Sequence, residues 1–146
     1  MITYYTDGSA SPNPGPGGFS VIKDMQVCVL GGEPDGTLVT TNIRMEGLAI
    51  IAALKNANGQ PCVIYTDSEF WINVITIWSL NWEKNSWSKK GGAIKNLDIV
   101  KEACALHRDS QAKLIWTKGH AGDPGNELAD HWANKAREQN IAKHKV

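Results

Sequence analysis

The sequence predicts an α/β fold, with one mixed sheet and helices packed on it. Three observations predict it. Three strand-like segments joined by short turns open the chain, and helix and strand alternate after them. The run Ile2-Thr3-Tyr4-Tyr5-Thr6-Asp7 is echoed by Cys62-Val63-Ile64-Tyr65-Thr66-Asp67, two runs rich in β-branched and aromatic residues that each stop at a carboxylate. Between them lies a segment that is apolar on nearly every side, as a buried helix is.

Taken in order, Ile2–Ser9 forms the first strand, and Gly8 frees the backbone to turn after Asp7. Ser9–Gly18 is dense in Pro and Gly and reads as a turn. Phe19–Lys23 and Val27–Gly31 read as strands joined by Asp24-Met25-Gln26. The first helix runs from about Asn42 to Asn56, capped by Thr41 or Asn42 and ended by Asn58-Gly59. The second Tyr-Thr-Asp strand follows, then a helix from Ser68 to about Trp78 with Phe70, Trp71, Val74, Ile75 and Trp78 at helical spacing. Leu80–Gly92 mixes Trp and Lys with little periodicity. A helix over Asn96–Arg108, a strand over Ala112–Thr117, a Gly-rich loop over Lys118–Asn126 and a last helix over Glu127–Gln139 complete the chain, with a frayed tail.

At 146 residues the chain suits one domain with a core of ordinary size. Its 42% apolar and 21% charged residues are those of a soluble globular protein. The N-terminus shows no signal-peptide pattern, and no apolar run is long enough to span a membrane. Cys28, Cys62 and Cys104 read as small buried hydrophobes in a reducing compartment. The formal net charge is zero, so an anionic partner must be met by a local patch.

Four acidic residues need a reason. In open α/β sheets, ligands bind outside the carboxyl ends of strands. If the two Tyr-Thr-Asp strands are neighbours, Asp7 and Asp67 sit side by side there, and adjacent carboxylates repel unless a proton or a metal lies between them. Each also has a local explanation: Asp7 before Gly8 suits a turn, and Asp67 fits a helix start boxed by Thr66 and Glu69. Glu46 falls in the first turn of an otherwise apolar helix. The helix dipole favours a charge there, but Ile43, three residues earlier, cannot complete a capping box, and a buried Glu is rare unless paired or metal-bound. By pattern Asp130 falls off the stripe Leu128, Ala129, Trp132, Ala133, Ala136, with Asn126 and Arg137, as a solvated residue would. His120, with Gly119 before it and Gly122 two residues after, can titrate near neutral pH, and taken alone it reads as a surface loop residue.

Together these segments resemble type 1 ribonuclease H, the single-domain bacterial kind, over nearly the whole chain. The resemblance rests on Tyr5–Ser9 with Asn13–Gly18, Thr40–Glu46, Thr66-Asp67-Ser68, Lys118–Gly122 and Asn126–Asp130, in that order. It implies an RNase H-like fold with a five-stranded mixed sheet, its first three strands antiparallel. It implies an endonuclease that cuts the RNA strand of an RNA–DNA hybrid, leaving 5′-phosphate and 3′-hydroxyl ends. Asp7, Glu46, Asp67 and Asp130 are then the carboxylates that hold two Mg²⁺, with Mn²⁺ as a substitute, which overturns the solvated reading of Asp130. Such ions, about 3.5–4 Å apart, suit an in-line displacement. His120 matches a mobile histidine that helps proton transfer or product release. Asn13 and Asn42 match minor-groove and 2′-hydroxyl contacts, Thr41 and Arg44 a region that meets a DNA phosphate, and Asn126 a further substrate contact. Residues 79–93 match a basic protrusion that grips the DNA strand, with Trp78, Trp82, Lys84, Trp87, Lys89 and Lys90 in and beside it; packing into the core is the other reading of its tryptophans.

Ile43 replaces a polar, base-contacting residue of many relatives, Glu69 stands where Gln is common, and Glu83 makes the protrusion less basic. Weaker hybrid binding with a modest salt slope is expected. The resemblance further implies a monomer in the cytoplasm, and Met1 directly before the first strand favours a stand-alone enzyme. The alternatives are a catalytically weak hybrid-binding module and another metal nuclease of the same superfamily.

Overall fold

The structure is a computed structural model that describes residues 1–89, 91–119 and 122–144. Strands β1 (Ile2–Ala10), β2 (Gly15–Lys23) and β3 (Gln26–Gly31) form an antiparallel meander. The two-residue β4 (Val39–Thr40) pairs with the start of β2. Helix α1 (Asn42–Ala57) leads to β5 (Cys62–Thr66), which lies parallel beside β1. Helices α2 (Glu69–Asn73), α3 (Ser79–Lys84) and α4 (Leu97–Arg108) precede β6 (Ala112–Trp116), parallel to β5, and α5 (Pro124–His144) follows. The sheet order is β3-β2-β1-β5-β6, the expected five-stranded mixed sheet with its first three strands antiparallel.

Alternation along β1 assigns the two faces. Tyr4 and Gly8 face α1; the Tyr4 hydroxyl donates to Asn56 at 2.7 Å, and α1 crosses directly over Gly8. Tyr5, Asp7 and Ser9 face α5, where Ser9 Oγ donates to Asn134 at 2.9 Å. The main core lies on the α1 side, where Tyr4, Val21 and Ile64 of the sheet meet Met45, Ile50 and Leu54 of α1, with Trp71 and the Ile99 and Val100 pair of α4 behind. On the other face α5 packs through Ala129, Ala133 and Ala136. Cys62 and Cys104 are buried, Cys28 is half-buried, and all are free thiols. Among the described residues no helix is long and apolar enough to cross a membrane.

Several boundaries differ from the sequence reading, each for a physical reason. The Pro/Gly stretch is a strand from Gly15 onward, because small residues are what fit beneath the helices; a Cβ at Gly18 would lie 2.3 Å from the Arg137 backbone nitrogen. The helix begun at Ser68 continues to Lys84. A π-helical turn over Val74–Trp78 inserts between α2 and α3 and shifts the phase, which hides the helical period. Helix α5 starts at Pro124 rather than at Glu127. Asp123 Oδ1 accepts from the Gly125 and Asn126 amides at 3.0 and 3.4 Å, with Pro at the first helical position. It runs on to His144, held to the sheet by Asn140, whose Nδ2 donates to Gly17 O at 2.9 Å.

Gly8 has no room for a side chain. A Cβ there would fall 2.3 Å from Glu46 N and 2.4 Å from Met45 C, both backbone atoms that cannot rotate away. Gly8→Ala is therefore expected to cost about 1–3 kcal/mol through overpacking. Thermal unfolding checks this, and an unchanged midpoint would mean that α1 can lift off β1 freely.

Candidate active site

Parallel pairing in the register Tyr5↔Tyr65, with the two rings stacked at 4.8 Å, carries Asp7 and Asp67 past the end of the β1–β5 pairing as neighbours. The chain does not turn at Gly8 as expected, because β1 stays paired with β2 as far as Ala10. The close approach at Gly8 brings Glu46 to the same place. Carboxylate oxygens of Asp7, Glu46 and Asp67 all lie within 4.8 Å of one another. Asp7 is buried and the other two are half-buried. With Thr41 as N-cap, Glu46 lies beyond the first turn of α1, so the helix dipole does not explain it. Asp130, half-buried on α5, stands outside this trio but near enough that its charge bears on Asp7.

The neighbours of these groups are fixed. Gly8 N–H donates to Asp7 Oδ1 at 2.9 Å. Ser68, the N-cap of α2, accepts from Trp71 N at 3.2 Å while its hydroxyl bonds to Glu46. Thr66 Oγ1 accepts from Ser68 N at 3.1 Å, so the expected box of Thr66 and Glu69 is replaced by a Thr66–Ser68 relay, and Glu69 is exposed. Trp71 Nε1 donates to Ile43 O at 2.7 Å and fills the space that Gly47 leaves on α1, where a Cβ would lie 2.6 Å from the indole. Ser20 pairs with Asp7 across β1 and β2 and donates to Ala129 O at 2.6 Å, fixing the residue before Asp130. Sequence reading missed Ser20 and Ser68; a polar residue directly across the strand from a key carboxylate is the signal that could have found Ser20.

Around this cluster, Asn42 Oδ1 accepts from Ala10 N at 2.6 Å and Asn13 Oδ1 accepts from Asn42 N at 3.1 Å. Each carboxamide oxygen is thus spent on backbone, which presents the NH₂ groups as donors. Thr41 Oγ1 caps α1 by accepting from Arg44 N at 3.2 Å. The Arg44 guanidinium turns away, toward Glu33 and Asp98, and holds both carboxyls below the usual range. Asn126, expected on a solvated face, is buried because α5 begins early and lies flat over Tyr5. Ile43 is 40% exposed. Gly119 lies against Asp67, a Cβ there falling 3.0 Å from Oδ2; His120, the next residue, lies outside the described residues, as does Lys90.

In the segment assigned to the protrusion, Trp78 is 40% exposed, in edge contact with Phe70 and 6.2 Å from the Trp82 ring. Trp82 and Trp87 pack partly against the core, and Lys101 sits over the Trp87 ring. Lys84 and Lys89 are exposed. Glu83 is paired with Arg108 of α4, so its charge does not stand alone in this region.

Crowding shifts the carboxyls. Burial first, and then the Asp67 charge, raise Asp7 well above the usual carboxylate range, with Asp130 and Glu46 adding to it and the Gly8 amide offsetting part. Burial and Asp67 push Glu46 up to about 7, against the Ser68 hydrogen bond. The donor set, all carboxylate oxygen and costly to ionise unaided, fits a hard divalent cation.

A mixed sheet with a carboxylate cluster where its two adjacent parallel strands part is a site suited to a divalent cation. The relatives of the chain define the class as a hydrolase acting on nucleic acids. The RNase H family model matches residues 1–138. The chain is 40% identical to the Ribonuclease H of Alcanivorax borkumensis, over 99% of this chain and 95% of that one, and 41% identical to that of a Polaromonas species, over 98% and 92%. Among solved structures it is similar to LC9-RNase H1, described as a type 1 RNase H with the type 2 active-site motif, with a TM-score of 0.78 and 27% identity over 95% of this chain and 72% of that one. The chain belongs to the RNase H family.

The raised carboxyls fix how metal-free stability varies with pH. A carboxyl raised in the folded state costs nothing below its unfolded value, about 4, where both states are protonated. The cost grows as pH rises and is complete above the folded value, about 7 for Glu46. In EDTA the parent should therefore lose stability between about pH 4 and 8. Asp7→Asn should raise the unfolding midpoint at pH 8, at roughly 2–4 °C for each kcal/mol recovered, and have little effect at pH 4. Equal effects at both pH values would contradict the shift.

Proposed function

We propose that the chain is an endonuclease that hydrolyses the RNA strand of an RNA–DNA hybrid. The observation that carries this reading is the convergence of Asp7, Glu46 and Asp67 beside the donor pair Asn13 and Asn42. The family and the bacterial relatives named Ribonuclease H support it.

Asp7, Glu46 and Asp67, with Asp130 from α5, would hold Mg²⁺, or Mn²⁺ in its place. When bound, two such ions supply an activated water and stabilise the leaving 3′-oxygen, which gives 5′-phosphate and 3′-hydroxyl ends. The four carboxylates keep the bound cations at the scissile strand and, without them, repel a polyanion. Ser68 orients Glu46, and Ser20 holds α5 so that Asp130 stays close to Asp7. The oriented NH₂ groups of Asn13 and Asn42 suit the acceptors of the minor groove and the 2′-hydroxyls that mark RNA. Residues 79–93 serve as the protrusion: exposed Trp78, with Lys84, Lys89 and Lys90, receives the DNA strand, and Trp82 and Trp87 brace it. Thr41 and Asn126 border the hybrid, and His120 takes part in proton transfer or product release. The same reading makes the chain one domain over 1–146, acting as a monomer in the cytoplasm, where free thiols persist.

Cleavage of a labelled hybrid tests this. With Mg²⁺ the parent should cut internally in the RNA strand only; EDTA or Asp7→Asn should abolish cutting. Internal cuts in duplex DNA, or cutting that survives EDTA, would refute the reading. Asn42→Asp keeps the acceptor for Ala10 N but replaces the outward donor with negative charge. Steady-state kinetics should show KM rising about tenfold or more, the equivalent of ~1.4 kcal/mol, with kcat little changed.

A further inference from the structure

Arg44 carries a commitment that its place at the edge of the site conceals. A guanidinium has five N–H donors. In this fold Nε donates to Glu33 Oε2 at 2.7 Å, and Nη2 to Glu33 Oε1 at 3.0 Å and to Asp98 Oδ2 at 2.9 Å. Nη1 donates to Asp98 Oδ1 at 3.1 Å and to Asn96 Oδ1 at 3.3 Å. Five donors meet five contacts. Two carboxylates on one guanidinium leave the group with net negative charge, so it offers no cation to a phosphate.

The second half of the clamp is Thr40, whose Oγ1 donates to the same Glu33 Oε2 at 2.6 Å. Thr40 and Arg44 flank the start of α1, and between them lie the N-cap Thr41 and the donor Asn42; Glu46 follows one half-turn later. The Glu33 side chain is only 8% exposed, which makes it an internal anchor, whereas that of Asp98 is 65% exposed. Glu33 thus holds both sides of one short segment, and Arg44 ties that segment to the start of α4.

We propose that Arg44 is a positioning residue rather than a phosphate contact: clamped by Glu33 and Asp98, it fixes the start of α1 and through it the placement of Asn42 and Glu46. The proposal rests on the hybrid-cleavage reading above and assigns the fork geometry of Arg, not its charge, as the property that counts.

The test compares the parent with Arg44→Met, Glu33→Gln and the double variant. Arg44→Lys and Asp98→Asn are milder changes to use if those fail to fold. Three quantities are read: kcat on the hybrid, the salt slope of hybrid binding in EDTA, and the Mg²⁺ concentration that gives half-maximal thermal stabilisation. Arg44→Met and Glu33→Gln should each lower kcat tenfold or more and raise the Mg²⁺ requirement severalfold. The double variant should be no worse than either single one, and the salt slope should stay as in the parent. Arg44→Lys should fail to restore kcat, because the three donors of an ammonium cannot reproduce the five contacts of the planar fork. A salt slope reduced by about one with kcat unchanged would make Arg44 a phosphate contact and overturn the proposal. So would a Glu33→Gln variant that binds hybrid more tightly than the parent only while Arg44 is present, the mark of a freed guanidinium. If the parent cuts no hybrid, the functional reading fails by itself. The Mg²⁺ requirement then decides alone, and an unchanged value in Arg44→Met would overturn the clamp.

Discussion

Strand β1 and helix α1 meet backbone to backbone at Gly8, and the arrangement of the site depends on that contact. Asp7 belongs to the face of β1 that α5 covers, whereas Glu46 comes from α1 on the opposite side. A side chain at position 8 would hold the two elements apart and leave the two carboxylates in separate places. The same contact has a second support behind it: Trp71 fills the gap left by Gly47 and donates to Ile43 O, pressing the first turns of α1 from the far side. Glycine at position 8 thus sets how near the helix comes to the strand, and glycine at position 47 how near Trp71 comes to the helix.

What this approach produces is electrostatically unfavourable. Buried and half-buried carboxyls within a few ångströms raise one another's proton affinity. Among the described residues, the hydrogen-bond donors to Asp7 and Glu46 are the Gly8 amide and the Ser68 hydroxyl, neither of them charged. Stability spent on an uncompensated cluster is the pattern expected where a cation completes the site. The zero net charge of the chain supplies no global field for a polyanion, so any such attraction has to be local.

Much of this was legible in the sequence. The repeated Tyr-Thr-Asp runs made Asp7 and Asp67 adjacent if their strands were neighbours, and β1 and β5 are neighbours, in parallel. Glu46 stood out by its apolar surroundings. Where sequence reading fell short, long-range packing decided. Gly15–Gly18 is extended because two helices lie close over it, which no local propensity encodes. The π-helical turn at Val74–Trp78 broke the period on which recognising α3 depended. By pattern Asp130 and Asn126 fell with the solvated positions because the alanine stripe marks one buried face only, whereas α5 also lies flat over Tyr5 at its start and buries Asn126. The ion pairs of Arg44 were invisible because Glu33 and Asp98 lie in separate segments of the chain. The Asp123-Pro124 start of α5 was present in the sequence and simply outweighed by the glycines around it.

The central claim is that burial and crowding leave Asp7 and Glu46 holding protons when metal-free, which a divalent cation displaces. Titration calorimetry of Mg²⁺ binding near pH 7, repeated in buffers of different ionisation enthalpy, measures the protons released. Release of a substantial fraction of a proton per site, falling as pH is raised toward 9 and reduced in Asp7→Asn to the share that Glu46 holds, is expected. Mg²⁺ binding with no proton release at pH 7 would contradict the claim and mean that the cluster is already ionised before the cation arrives.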